Sequence, residues 1–500
     1  MDVPSASLPA RPYPEAADRA AASVPRLLPL TKVLYGVGEI SNSIKTFTFG
    51  LFLLFYYTSV LGLPGTLVGA ATSISLIWDA LLDPLIGHVS DRFRSRYGRR
   101  HPFMFVGAIL MGVSFFLIFN PPAGLAGAAL FAWLLGSNIL LRTTNSLFMV
   151  PYHALGAELS EDYYERTSIT GVRAAFALGG TLIAAGLSFA VFFPETTPGV
   201  DPKFNSAGYG RMALVFGAAI MATGLIATLA TLRARLHAPA GAEFPAALTS
   251  RAGFWQNLLV ALRNRTFLVL TLASALFFLG SVVNATLAIH YLTYYARIAD
   301  SKALSLFQLS FYVGALIGVA FWLRNLRRFA KHHLFIANTL LLAVLMGMAY
   351  FLVGEGRLLG VGDVRPLILV NTIGGFFASA LWIVPASMVA DVADVDELLT
   401  GRRREGAFFG IHSFFMQEGA SLAVLAAGFL IDVFARLVPG QIEQSALTVG
   451  RIGMLFGLLP AAIYCVAAAL MARYTLTPAR LHAVQDQLHR QRAEGQRARG

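Results

Sequence analysis

The chain has 500 residues, 56% hydrophobic and 13% charged, with a mean hydropathy of +0.64. Apolar runs of spanning length recur from end to end, which excludes a soluble globular enzyme and defines an all-α polytopic membrane protein. The formal net charge is +12, but the basic residues fall in loops between apolar runs, so they read as topology signals and not as a nucleic-acid surface.

The first 25 residues are Pro- and Ala-rich with no apolar core before a cleavage site, so residues 1–30 are expected to be a short disordered cytoplasmic lead and not a signal peptide. About twelve spans follow, predicted at 31–61, 65–90, 103–120, 125–158, 166–194, 210–232, 266–296, 303–323, 333–353, 365–391, 406–437 and 447–473. An even number places both termini on one face. The loop after helix 2, DRFRSRYGRRH, carries Arg92, Arg94, Arg96, Arg99 and Arg100, and the loop after helix 8 carries Arg324, Arg327, Arg328 and Lys331. Arg233, Arg235, Arg251, Arg263 and Arg265 lie between helices 6 and 7, whereas FFPETTPGVDPKF and LVPGQIEQS are poor in positive charge. The positive-inside rule then puts both termini in the cytoplasm. Residues 475–500 form a basic tail with Leu481, Val484 and Leu488 at helical spacing, as expected of a solvated or membrane-surface helix.

Within helix 2, SLIWDALLDPLIG places Asp79 and Asp83 one turn apart on one face of an otherwise apolar span. An acidic residue at mid-span costs on the order of 2.5–3.5 kcal/mol, so the pair implies a water-filled cavity, a bound cation or shared protons. Lys45 in helix 1 and Arg142 in helix 4 are equally costly. They would face a cavity or pair with an acid such as Glu39. Two readings stand equal: Lys45 and Arg142 bind an anionic substrate, or they form salt bridges to Asp79 or Asp83 that organise the empty protein. Phe115, Phe116, Phe277 and Phe278 read as packing or lipid-facing groups, and Trp255 as part of an interfacial linker helix. Asn284, His290, Asn371 and His412 could touch substrate or hydrogen-bond between helices. Cys465 stands alone, and no HExxH, GxSxG, P-loop or clustered Cys/His pattern supports an enzyme, a cofactor or a fixed metal centre.

The chain also repeats itself. Helix 2 runs into GHVSDRFRSRYGRRHPF, and helix 8, six spans later, runs into GVAFWLRNLRRFAKHHLF. This predicts two six-helix halves, 31–233 and 265–474, joined by a cytoplasmic linker at 234–264, with a substrate site between them near the midplane.

WDALLDPLIGHVSDRFRSRYGRRHP resembles the helix 2 and loop 2/3 signature of the glycoside-pentoside-hexuronide:cation symporters, the melibiose-permease-like branch of the major facilitator superfamily. The resemblance continues through YGVGEISNS and FYYTSVLGLP, VPYHALGAELSEDYYERTSITGVRAAF, MVADVADVDELLTGRRREGAFFGIHSFF and YTLTPARLHAV. It implies the major facilitator fold and an inner-membrane transporter that moves a sugar-like solute with Na⁺, Li⁺ or H⁺, without cofactors and as a monomer among lipids. Asp79 and Asp83 match the two cation-binding aspartates of the family, with Ser146 of helix 4 as a neighbouring oxygen. Arg173 matches an arginine near the sugar site. The sequence departs from the melibiose-like members at four places. Met149 stands for a third carboxylate, Ser43 for the sugar-gripping aspartate, His153 for the stacking aromatic, and Gln417, followed by Glu418, for a helix 11 lysine. GHVSDR resembles the superfamily's cytoplasmic gate. There Gly87 would allow close helix approach, and Asp91, beside Arg92, should meet an arginine or another helix's N-terminus. Asp391, Asp394, Asp396, Glu397, Arg404 and Glu405 form the matching charged stretch after helix 10. A lysolipid carrier of the same fold, or a non-transporting sensor, are the alternatives.

Overall fold

Side-chain caps set the starts of several helices. Asn264 Oδ1 accepts from the backbone N–H groups of Thr266 and Phe267 at 3.1 Å each, Asp300 from those of Lys302 and Ala303, and Ser445 from that of Thr448. The computed structural model describes residues 28–160, 163–195, 201–236, 264–400 and 404–497. Most of the predicted lead and linker, including Arg251, Trp255 and Arg263, lies outside the described residues.

A short helix, Pro29–Gly36, leads into α1 (Gly38–Phe55). Then follow α2 (Gly65–Arg92), α3 (His101–Ile118), α4 (Gly127–Glu158), α5 (Tyr163–Phe192), α6 (Ser206–Leu236), α7 (Arg265–His290) and α8 (Ser301–Asn325). The order closes with α9 (Lys331–Phe351), α10 (Arg365–Thr400), α11 (Glu405–Val433), α12 (Ala446–Met471) and α13 (Pro478–Arg497). Ten of these are long and apolar enough to cross a membrane. α1 and α4 fall outside that ten, and they are the helices that carry Glu39, Lys45, Asn138, Arg142 and Asn145.

The predicted first span is interrupted near Val37, and it ends in a π-helical turn at Tyr56–Val60. α7 ends the same way, at Tyr291–Tyr295, so Leu61 N–H donates to Tyr56 O and Ala296 N–H to Tyr291 O in equivalent wide turns. α10 runs two turns beyond its predicted end at 391, because VADVDELLT holds no Gly or Pro to stop the helix where the apolar span ends.

Packing repeats at an interval of six helices. α3 packs on α4 and α6, α2 on α4, and α1 on α5 and α6; α9 packs on α10 and α12, α8 on α10, and α7 on α11 and α12. A Cβ on Gly314 of α8 would collide with the carbonyl of Thr372, and one on Gly375 of α10 with that of Phe311. This crossing brings two backbones into direct contact, the usual way helices associate where no water is available to be expelled. Gly314→Ala is expected to cost about 1–3 kcal/mol and to lower Tm by several degrees in a thermal-aggregation assay. An unchanged Tm would show that this crossing is loose.

Contacts between the two sets are α1 with α7, α2 with α11, and α5 with α8. The hydrogen bonds recorded across them gather at one end. Thr58 Oγ1 pairs with His290 Nε2 at 2.9 Å, Gly440 N–H donates to Thr58 O at 2.9 Å, and Ala190 N–H donates to Ser305 Oγ at 2.8 Å. Lys203 Nζ donates to Ile298 O at 2.7 Å while ion-paired to Asp201. Burial pulls the Lys203 ammonium below its ordinary pKa, and Asp201 opposes that shift. At the same end, Asp432 of α11 accepts from Gly65 N–H, Thr66 N–H and the Thr66 hydroxyl at 2.9, 2.7 and 2.6 Å. Pro64, the N-cap residue of α2, supplies no side-chain cap, so α2 is capped by a carboxylate from another helix. Glycines allow this approach: a Cβ on Gly428 would collide with the carbonyl of Gly65.

α13 docks on α10 instead of standing free as a solvated helix. Leu481 packs against the core of α7–α12, Leu488 is buried, and Gln485 Nε2 donates to Asp394 Oδ2 at 3.2 Å.

Candidate functional site

The site is built on two stripes. Ser75, Asp79 and Asp83 repeat every fourth residue of α2, and Arg142, Asn145, Ser146, Met149 and His153 follow one face of α4. Packing α2 on α4 brings the stripes together. Asp79 is buried; its Oδ1 accepts from Ser146 Oγ at 2.8 Å, and its Oδ2 lies 3.4 Å from Arg142 Nη1. Thr143 accepts from Trp78 Nε1 at 2.9 Å, tying the same two helices beside the charged pair. Pro84 lies within α2, directly after Asp83. Its missing N–H leaves the carbonyl of Ala80 without the usual intrahelical donor, adding a backbone oxygen at the level of the carboxylates.

Lys45 on α1 is buried and donates to Asn145 Oδ1 at 2.6 Å. Asn145 and Ser146 are neighbours on α4, so Lys45, Arg142 and Asp79 gather around one stretch of α4, and Asp83 follows Asp79 one turn on along the same face of α2. The pairing with Glu39 considered for Lys45 and Arg142 is not what forms. Arg173 of α5 holds Glu39 through both Nε, at 2.8 Å, and Nη2, and His153 Nε2 lies 3.4 Å from the same carboxylate. Glu39 sits six residues, nearly two turns, nearer the start of α1 than Lys45, and α1 packs on α5. Arg173 also lies over the Tyr152 ring, and Tyr35 and Tyr152 exchange hydroxyl-to-carbonyl bonds of 2.8 Å each. The His153 side chain is half exposed, and Gln417 is exposed on α11.

At the end opposite the seal, Asp91 meets Arg100 Nη2 at 3.1 Å, so the acid at the C-terminus of α2 finds an arginine at the N-terminus of α3. Glu158, at the end of α4, binds Arg100 at 2.6 Å and also binds Arg99. Six helices on, Lys331 at the start of α9 binds Asp391 of α10 at 2.6 Å, and Arg404 grips Asp396 through two bonds of 3.1 Å. Arg92, expected among these groups, is exposed, and the loop arginine that engages Asp91 is Arg100. Glu405 opens α11 next to Arg404. Gly87 does not make a close approach: a Cβ there would meet Val150 at an ordinary 3.6 Å.

His290, Asn284, Asn371 and His412 hydrogen-bond between helices. Their partners are Thr58, Phe456 O, Phe307 O and Thr271. Sequence reasoning missed Asn145 as the partner of Lys45, although its place on the Arg142–Ser146 stripe was readable. The bond from Arg173 to Glu39 and the cap supplied by Asp432 left no local signal.

Twelve long helices in this six-apart packing, with an internal charge cluster and a seal at one end, define a carrier of the major facilitator fold. A bacterial homologue of the human lysosomal transporter Spinster, solved in an inward-facing and unoccupied conformation, is similar with a TM-score of 0.62. At 15% identity the likeness covers 90% of this chain and 97% of that one, and it establishes the fold. Residues 34–478 match the family described as MFS/sugar transport protein, and the chain belongs to that family of cation symporters. It is a multi-pass membrane transporter, not an enzyme. The chain is similar to the inner membrane symporter YicJ of Escherichia coli (strain K12), at 24% identity over 93% of this chain and 95% of that one. It is also similar to the sodium-dependent lysophosphatidylcholine symporter 1 of Xenopus tropicalis, at 24% identity over 84% of this chain and 82% of that one.

Proposed function

We propose that the protein imports a sugar-like small solute, a glycoside or hexuronide, together with Na⁺ or H⁺ across the cell's inner membrane. The observation that carries this reading is the cluster of Asp79, Asp83 and Ser146 facing Lys45 and Arg142 inside a bundle sealed at one end. Hard oxygen ligands suit Na⁺, and a proton on one carboxylate would serve in its place. Lys45, Arg142 and Arg173, with His153 and Gln417, supply the polar groups for a solute carrying hydroxyls and a carboxylate. The halves 31–233 and 265–474 rock against each other. The charge pairs of Asp91, Arg100 and Glu158, and of Lys331, Asp391, Asp396 and Arg404, re-form as they move. With the arginine-rich loops inside, the sealed end faces outward, both termini are cytoplasmic, and the cavity opens to the cytoplasm. The chain works as a monomer.

A lysolipid is the second reading. It rests on the likeness to the lysophosphatidylcholine symporter and on Met149, a buried apolar side chain on the Arg142–Ser146 face of α4. Reconstituted protein given an imposed Na⁺ or proton gradient should accumulate a radiolabelled methyl glucoside or methyl glucuronide. Accumulation of lysophosphatidylcholine alone would favour the second reading, and gradient-independent traffic of all three would sink the symport reading.

A further inference from the structure

The two arginines inside the bundle are held differently. Arg173 grips Glu39 through two nitrogens and lies over the Tyr152 ring. Arg142 meets Asp79 through one nitrogen at 3.4 Å and lies 5.5 Å from the centroid of Phe49. A two-point grip fixes a guanidinium, whereas a single long contact lets it leave. Ser146 meanwhile binds the other oxygen of Asp79, so the carboxylate stays in place when the arginine moves.

Charge counting gives the consequence. Counted at their formal charges, Lys45 and Arg142 contribute two positive charges and Asp79 and Asp83 two negative ones, which balance; Glu39 and Arg173 form a separate pair. One bound cation, or one added proton, leaves a single uncompensated positive charge inside the membrane, which is costly unless another charge offsets it. A neutral solute cannot supply that charge, and a monoanion can.

We propose that Arg142 is an internal stand-in for the coupling cation: it occupies the Asp79 carboxylate in the empty carrier, and the arriving cation displaces it to receive the anionic group of the solute beside Lys45. The exchange rests on the cation-symport reading above. It makes Arg142 the residue through which ion binding selects for solute charge. Because linkage is reciprocal, the cation and an anionic solute each raise the affinity for the other, while a neutral twin of that solute does not.

The test titrates purified full-length protein with NaCl against choline chloride, and separately with pH, reading thermal stabilisation with and without methyl glucuronide or methyl glucoside. In Arg142→Gln the internal competitor is gone, so half-saturation by the effective cation should fall by about tenfold or more. In the wild type, glucuronide should lower that half-saturation by about tenfold and glucoside should leave it unchanged; in Arg142→Gln the difference between the two solutes should vanish. A purely structural arginine predicts the reverse, a folded Arg142→Gln protein whose cation half-saturation is unchanged or higher, and that result overturns the exchange alone. If Arg142→Gln does not fold, the wild-type contrast decides, since equal effects of glucuronide and glucoside overturn the exchange. No cation response in the wild type overturns the symport reading and the exchange with it.

Discussion

Asp83→Asn is expected to reduce gradient-driven uptake by about 100-fold or more while leaving the protein folded, because it removes one of the two carboxylates whose cost inside the span only an ion or proton offsets. Asp79→Asn should cost more than uptake. Asp79 faces Arg142 and accepts from Ser146, and removing one partner of a buried pair destabilises by about 3–5 kcal/mol through the charge left behind. The variant should therefore show a clearly lowered Tm as well as lost uptake. The double variant Asp79→Asn/Arg142→Gln, which removes both charges, should recover most of the Tm and none of the uptake. Uptake and Tm are both measurable on the same preparation. Wild-type uptake in Asp83→Asn would show that the carboxylates serve structure alone, as in a non-transporting protein.

The second large effect is expected at the seal. Asp432 gives its carboxylate to the first turn of α2 through three hydrogen bonds, and it lies near the C-terminus of its own helix, where a negative charge is disfavoured. Both facts make the bond worth keeping only while α2 and α11 are together. Asp432→Ala should weaken the seal by about 1–2 kcal/mol, the value of a helix cap, and shift the balance toward opening at this end by roughly 5–30-fold. Ala427, fully buried on α11 one residue before Gly428, is a suitable reporter. In an Ala427→Cys/Cys465→Ser background, a membrane-impermeant maleimide applied from the sealed side should label faster by about that factor when Asp432 is replaced. Equal labelling rates would mean that Asp432 is a cap without a role in opening.

Much of this molecule was legible before folding. The twelve spans follow from the length of the apolar runs, since a helix must bridge a fixed thickness, and the predicted spans overlap α1–α12 throughout. The carboxylate pair was legible because a charge in an apolar span is rare enough to need a cause, and helical spacing places Asp79 and Asp83 on one face. The family was legible in long motifs on helices 1, 2, 4, 5, 10 and 11, and it is the family to which the chain belongs. The details of helix 1 were not. Its break near Val37 and its π-helical end leave no mark in hydropathy, because backbone hydrogen bonds shift there without any change of polarity.

The sequence by itself determined which helices exist, how many, and which carry charge. Tertiary structure alone decided the pairings: Arg142 with Asp79 and not Glu39, Arg173 with Glu39, Lys45 with Asn145, Arg100 and not Arg92 with Asp91, and Asp432 with the start of α2. The reason is the solvent. In water, an apolar stripe tells which face of a helix turns inward; in a bilayer, lipid and protein interior are equally apolar, so the pattern that would choose a neighbour is largely absent. Partners separated by many tens of residues are then fixed by where glycine contacts such as Gly65–Gly428 and Gly314–Thr372 let helices meet. That information resides in the packing of the whole bundle and not in any one segment.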